Sequence, residues 1–128
     1  MVTETETTAA GNVIGVDELC SYAVDISVTN RGVLTDEASL RDALRRAARA
    51  GEARILGESS HIFANGAVTI ALVLSKSHLS IHTWPEFSLA NIDFLTYGRR
   101  SAEAMLAEIR RCLSPARVSI TRLSRAAP

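Results

Sequence analysis

Ser77-His78-Leu79-Ser80-Ile81-His82-Thr83-Trp84-Pro85-Glu86 packs hydroxyls, two of the chain's three histidines, its only tryptophan and a carboxylate into ten residues. As a helix, the run would set His78 and His82 four apart on one face, the spacing of zinc-binding helices. As a strand, it would hold the two imidazoles roughly 13 Å apart, too far for one metal ion to bridge. Ile81, Thr83 and Trp84 favour the strand, and Pro85 blocks its continuation. No carboxylate or cysteine stands at ligand spacing, so no metal site is expected.

The flanking sequence supports a sheet. Upstream, Arg54 to Phe63 and Ala67 to Ser75 are rich in Ile, Val and Leu and are separated by Asn65-Gly66, which suits a tight reversal between strands. Further back, Tyr22, Val24, Ile26 and Val28 alternate as on a half-buried strand. Thr35 reads as a helix N-cap, followed by Asp36 and Glu37 at the positive end of the helix dipole. Leu40, Ala43, Leu44 and Ala47 then recur at helical spacing until Gly51. Downstream, Ile92, Phe94 and Thr96 alternate between Ala90 and Tyr97, and Gly98 ends that strand. Ser101 reads as the cap of a second helix carrying Met105, Leu106, Ile109, Cys112 and Leu113, which Pro115 stops. Val118, Ile120 and Arg122 alternate in a final strand.

With the dense run set aside, the order is strand, helix, strand, strand, strand, helix, strand. Two helices on one face of a mostly antiparallel sheet satisfy burial as a two-layer α+β sandwich. The order resembles two similar halves, although no sequence repeat accompanies it. Apolar residues on both sides of the strands call for a partner on the uncovered face, and a homodimer is expected.

A chain of 128 residues is the size of one domain. Residues 1–12 lack periodicity and read as a flexible tail, leaving 13–128 as the domain. Fourteen basic and fourteen acidic residues cancel, so nucleic acid and anionic membranes are not expected partners. A small molecule is expected instead. The longest apolar stretch, Ala67 to Leu74, is far below the roughly 20 residues that span a bilayer. Cys20 and Cys112 lack metal-ligand spacing and no secretory signal precedes them, so reduced thiols in the cytoplasm are expected. Ser77 and His82, with Asp93 or Glu86 as orienting acid, are the ingredients of a hydrolase, but no Gly-rich nucleophile elbow surrounds them.

The dense run closely resembles the self-cleavage segment of the bacterial and archaeal S-adenosylmethionine decarboxylases. The likeness extends in register from about His61 to Gly98 and more loosely back to Tyr22. It implies cleavage between Lys76 and Ser77. The serine hydroxyl attacks the preceding carbonyl to give an ester, elimination leaves dehydroalanine, and hydrolysis of that leaves a covalent pyruvoyl group. The pyruvoyl ketone forms a Schiff base with an amino-acid substrate and accepts the electrons released as carbon dioxide leaves, the task pyridoxal phosphate performs elsewhere. The resemblance also implies roles for individual residues. His82 moves protons during processing, and Thr69 supplies a hydroxyl to the ester step. Phe63 and His82 sandwich the adenine of the substrate and Glu86 contacts its nucleoside, with Leu79 and Trp84 completing the substrate wall.

From the residues alone, Phe63 and Trp84 read equally well as core, His61 as a hydrogen-bonded structural histidine, and Glu86 as a solvated turn residue. Two positions depart from the family pattern. Lys76 stands where Glu usually precedes the cleaved serine, which reverses the local charge. Tyr97 stands twenty residues after Ser77, where the family has the Cys that protonates the product carbon. A phenol can donate a proton but is a weaker acid than a thiol. The usual Gly and His before the first strand are also blurred, with Ser21 near the expected His. The resemblance thus implies a pyruvoyl-dependent decarboxylase acting on S-adenosylmethionine in polyamine biosynthesis. Arginine or ornithine is the alternative substrate, and a catalytically silent relative that binds or regulates is the alternative class.

Overall fold

The computed structural model describes residues 19–124. The expected tail over residues 1–12 lies outside them. The described chain runs β1 (Leu19–Ser27), α1 (Glu37–Ala50), β2 (Ile55–Ile62), β3 (Val68–Leu74), β4 (Ser77–Trp84), β5 (Leu89–Tyr97), α2 (Arg99–Leu113) and β6 (Arg117–Ser124). Short 3-10 turns lie at Arg31–Thr35 and Pro85–Phe87. The strands form one antiparallel sheet in the order β2-β3-β4-β5-β1-β6, and the two helices pack on each other over one face. The α+β sandwich is as expected. Four strands, not three, separate the helices, because the dense run is itself β4 and is joined to β3 through only Ser75 and Lys76.

Period-2 alternation fixes which face each strand residue takes. Val24, Ile26, Ile70, Leu72, Ile92 and Phe94 point to the helix side and are buried with Leu40, Leu44, Met105 and Ile109. Leu44 is wholly buried, and truncating such a leucine to alanine costs about 2–5 kcal/mol. The hairpin at Asn65-Gly66 forms as predicted. Gly66 takes φ +88°, a conformation that favours glycine, and the Asn65 side chain accepts from the Ala67 N–H at 3.1 Å.

Both predicted N-caps are displaced. Asp36, not Thr35, caps α1, and its carboxylate accepts from both the backbone N–H and the hydroxyl of Ser39. Those hydrogen bonds, the backbone one foremost, hold the Asp36 carboxyl below its ordinary pKa. Ser101 does not cap α2, which starts two residues earlier after Gly98. Its hydroxyl donates instead to the Gly51 carbonyl at 2.7 Å, joining the start of α2 to the end of α1. A Cβ at Gly51 would lie 2.6 Å from Met105 Cγ and 2.8 Å from Ser101 Oγ, so the close approach of the helices needs glycine there.

The opposite face of the sheet carries no layer among the described residues. Val73, Trp84, Phe63, Tyr97 and Leu123 are all exposed, each at 39% or more.

Candidate active site

Alternation sends His78, Ser80, His82 and Trp84 of β4 to the uncovered face, while Leu79, Ile81 and Thr83 point into the core. The antiparallel registers then align one row across the sheet, His61, Thr69, His82, Asn91 and Asp25, drawn from five strands. Thr69 Oγ1 lies 2.6 Å from His82 Nδ1, so the two form a hydrogen-bonded pair. Around them stands an aromatic strip. His61 and Phe63, Phe63 and His82, and His82 and Trp84 meet edge to face at centroid distances of 4.6, 5.5 and 4.4 Å. Trp84 Nε1 donates to Asn91 Oδ1 at 2.6 Å, and Asn91 Nδ2 donates to Asp25 Oδ1 at 2.7 Å. Glu86, just past β4, accepts from Asn65 Nδ2 at 3.2 Å. This end of β4 therefore combines a hydroxyl–imidazole pair able to pass a proton, exposed ring surface and an oriented carboxylate.

The core readings of Phe63 and Trp84 do not hold, because both rings lie on the uncovered face. Leu79 is the reverse case. It is fully buried on the helix side between Leu72 and Phe94 in the ladder, so it cannot line a surface on the other face. Asn91, Asp25 and Asn65 are the polar partners that the sequence did not single out.

The other end of β4 carries Ser77. It is a non-glycine residue at φ +118°, a backbone conformation that costs on the order of 1–3 kcal/mol and that clusters at functional sites. Its hydroxyl lies 3.1 Å from His78 Nδ1. Across the ladder it faces Leu74 on one side and Thr96 on the other. Tyr97, one residue beyond Thr96, is 58% exposed on the uncovered face. The Lys76 ammonium donates to the Gly51 carbonyl at 3.4 Å, at the mouth of a cleft of about 450 Å³ that Gly98, Arg100 and Ser101 also line.

Ser77 and His82 are five residues apart on one strand, roughly 16 Å. One chain therefore brings Thr69, His82, Phe63, Trp84 and Glu86 together at one end of β4 and sets Ser77 opposite Thr96 at the other, with the Tyr97 side chain on the opposite face of the sheet from that of Thr96, and it does not bring the two ends into contact. This separation also rules out a Ser77–His82 hydrolytic pair within a chain. Among the described residues no cluster of metal-ligating side chains occurs.

Fold and site together define a two-layer α+β sandwich protein that displays its polar chemistry on the uncovered face of the sheet. A crystal structure of the adenosylmethionine decarboxylase from Aquifex aeolicus has this fold, with a TM-score of 0.79 at 24% identity over 86% of this chain and 92% of that one. A profile of the family described as S-adenosylmethionine decarboxylase matches residues 21–126. The chain belongs to the S-adenosylmethionine decarboxylase family. It is similar to the S-adenosylmethionine decarboxylase proenzyme of Pyrobaculum arsenaticum, 43% identical over 67 residues that make up 52% of this chain and 54% of that protein. The corresponding proenzyme of Methanococcus vannielii is 36% identical over 93 residues, 72% of this chain and 76% of its own length. The chain thus spans about half the length of the first of these relatives and about three quarters of the second.

Proposed function

We propose that this protein is a self-processing decarboxylase of S-adenosylmethionine, cleaved between Lys76 and Ser77. The observation that carries the reading is the strained φ of +118° at Ser77, the residue that the resemblance to the family's self-cleavage segment singles out. A serine held in a disfavoured backbone state at the head of a strand gains from breaking the bond that imposes the strain. The residues around it suit the group that results, since Ser77 faces a buried hydroxyl without a partner on Thr96, whose neighbour in the chain is the exposed Tyr97. When formed, a pyruvoyl group supplies a ketone that takes the substrate amine and draws off the electrons of the leaving carboxylate.

The chain's own residues bind and move protons. Phe63 and His82 flank the adenine, and Glu86, steadied by Asn65, accepts hydrogen bonds from the nucleoside. Trp84, fixed through Asn91 and Asp25, closes the aromatic side. Thr69 and His82 act as a pair in proton transfer at the cleaved serine, and Tyr97 returns a proton to the product carbon.

The separation of roughly 16 Å along β4 makes the working unit a homodimer. Two copies stacked through their uncovered faces would cover Val73, Trp84 and Leu123 and set His82 of one chain near the Ser77 end of the other chain's β4. The free thiols of Cys20 and Cys112 suit a cytoplasmic protein. Among the described residues no helix is long and apolar enough to cross a membrane.

Tyr97 favours a second substrate reading. Its bulk in place of the family's Cys narrows the space near the reacting carbon and suits arginine or ornithine. Intact-mass spectrometry tests the processing: residues 1–76 and 77–128 are expected as separate chains, the latter with a pyruvoyl terminus, and Ser77→Ala is expected to stay whole. Release of labelled carbon dioxide from S-adenosylmethionine, arginine and ornithine then decides the substrate. A chain that never cleaves points to the silent relative, with Lys76 the first position to restore to Glu.

A further inference from the structure

Two threonines of the sheet are buried on the helix side, and they differ in one respect. Thr83 donates its hydroxyl to the Leu34 carbonyl at 2.8 Å and accepts from the Val68 N–H at 2.9 Å. Thr96 is 1% exposed, and its Oγ1 is the buried side-chain polar atom among the described residues that has no hydrogen-bond partner. An unpaired buried hydroxyl costs stability that valine, of nearly the same shape, would not. The residue directly opposite Thr96 on β4 is Ser77. Ser77 is half-buried and heads the β4 row of Leu79, Ile81 and Thr83, directly across the ladder from Thr96. In a directly opposed pair the Cβ atoms lie about 4.5–5.5 Å apart, a span that Ser–Thr hydrogen bonds commonly bridge.

We propose that Thr96 is the positioning residue of self-cleavage, and this rests on Ser77 being the cleaved serine. The Ser77 hydroxyl has two partners, His78 Nδ1 in the state described and Thr96 Oγ1 after rotation about χ1 to another staggered well. Bonded to Thr96, the serine oxygen is held against the Lys76 carbonyl carbon. Attack then forms the Oγ–C bond and breaks the peptide C–N bond, and the hydroxyl proton ends on the Ser77 nitrogen. Thr96 orients the nucleophile and is itself unchanged.

The test follows precursor freshly made from wild type, Thr96→Val and Thr96→Ser by intact mass, with thermal midpoints measured alongside. Thr96→Val is expected to slow cleavage by about tenfold or more, the worth of one hydrogen bond in the attack geometry, with an equal or higher midpoint. Thr96→Ser is expected to restore cleavage to near the wild-type rate. Hydroxylamine, which opens esters, is expected to cut Thr96→Val more slowly than wild type by the same factor, because its ester forms more slowly. Cleavage of Thr96→Val at the wild-type rate overturns the proposal and leaves the processing intact. Equal slowing in the Val and Ser variants with lowered midpoints also overturns it, in favour of a packing role. Thr96→Ala provides the same rate comparison if the Val variant does not fold. A wild-type chain that stays whole removes the processing itself and this inference with it.

Discussion

The two ends of β4 are built in opposite ways. At the Trp84 end the polar side chains are engaged: Thr69 with His82, Trp84 with Asn91, Asn91 with Asp25, and Asn65 with Glu86. At the Ser77 end the backbone is strained and the facing Thr96 hydroxyl has no partner. One end is preorganised, which suits recognition of a ligand without rearrangement. The other stores tension and an unmet hydrogen bond, which suits a bond that is to be broken once. The distance between them, roughly 16 Å along one strand, is the reason the proposed dimer divides recognition and reaction between its two chains.

The sharpest way to break this division is complementation. His82→Ala and Ser77→Ala are each expected to lose decarboxylation by about 10²-fold or more. Co-expressed, they should recover about a quarter of wild-type activity, since half of random pairs are mixed and each mixed pair holds one complete site. A mixture no better than its parts would place both ends in a single chain's site. Next in size, Tyr97→Phe is expected to lower turnover by roughly 10²-fold while the two chains still appear by mass, which would separate the proposed proton donor from the processing. Processing and turnover falling together would assign Tyr97 to the strained end itself.

Gly51→Ala asks whether that end is braced from below. The added methyl meets Met105 and Ser101, and the Gly51 carbonyl receives both the Ser101 hydroxyl and the Lys76 ammonium. A loss of about 1–3 kcal/mol in denaturant unfolding is expected, with slower cleavage and unaltered ligand binding at the aromatic end. The smallest effect is expected far from both ends. Because folding lowers the Asp36 pKa, its contribution is present at neutral pH and fades as pH falls through that lowered value, below the ordinary 3.8. Thermal midpoints of wild type and Asp36→Ala should therefore differ at pH 7 and converge in strong acid.

Local signals made much of the fold legible. Asn65-Gly66 dictates a reversal by its own backbone preference, and Leu40, Ala43, Leu44 and Ala47 define a helix face by spacing alone. The caps were legible only to within one to three residues. Thr35 and Asp36 are both good cap residues, and the 3-10 turn that occupies Thr35 is not encoded by a strong local pattern. Ser101 misled because its hydroxyl is taken by Gly51, fifty positions away. Alternation shows that Phe63 and Trp84 face away from their strand neighbours, but not which face of the sheet stays uncovered. Asn91 and Asp25 join the site through a register between residues 66 apart, which no local pattern carries.

The strand order has a further meaning for a chain cut before Ser77. The first piece would own β1, β2, β3 and α1, and the second β4, β5, β6 and α2. In the order β2-β3-β4-β5-β1-β6 these do not lie side by side. β1 of the first piece is threaded between β5 and β6 of the second, and β3 adjoins β4, so three of the five strand seams join one piece to the other. The two polypeptides would be interwoven like fingers of clasped hands, and the nick would free a chain end without freeing a chain.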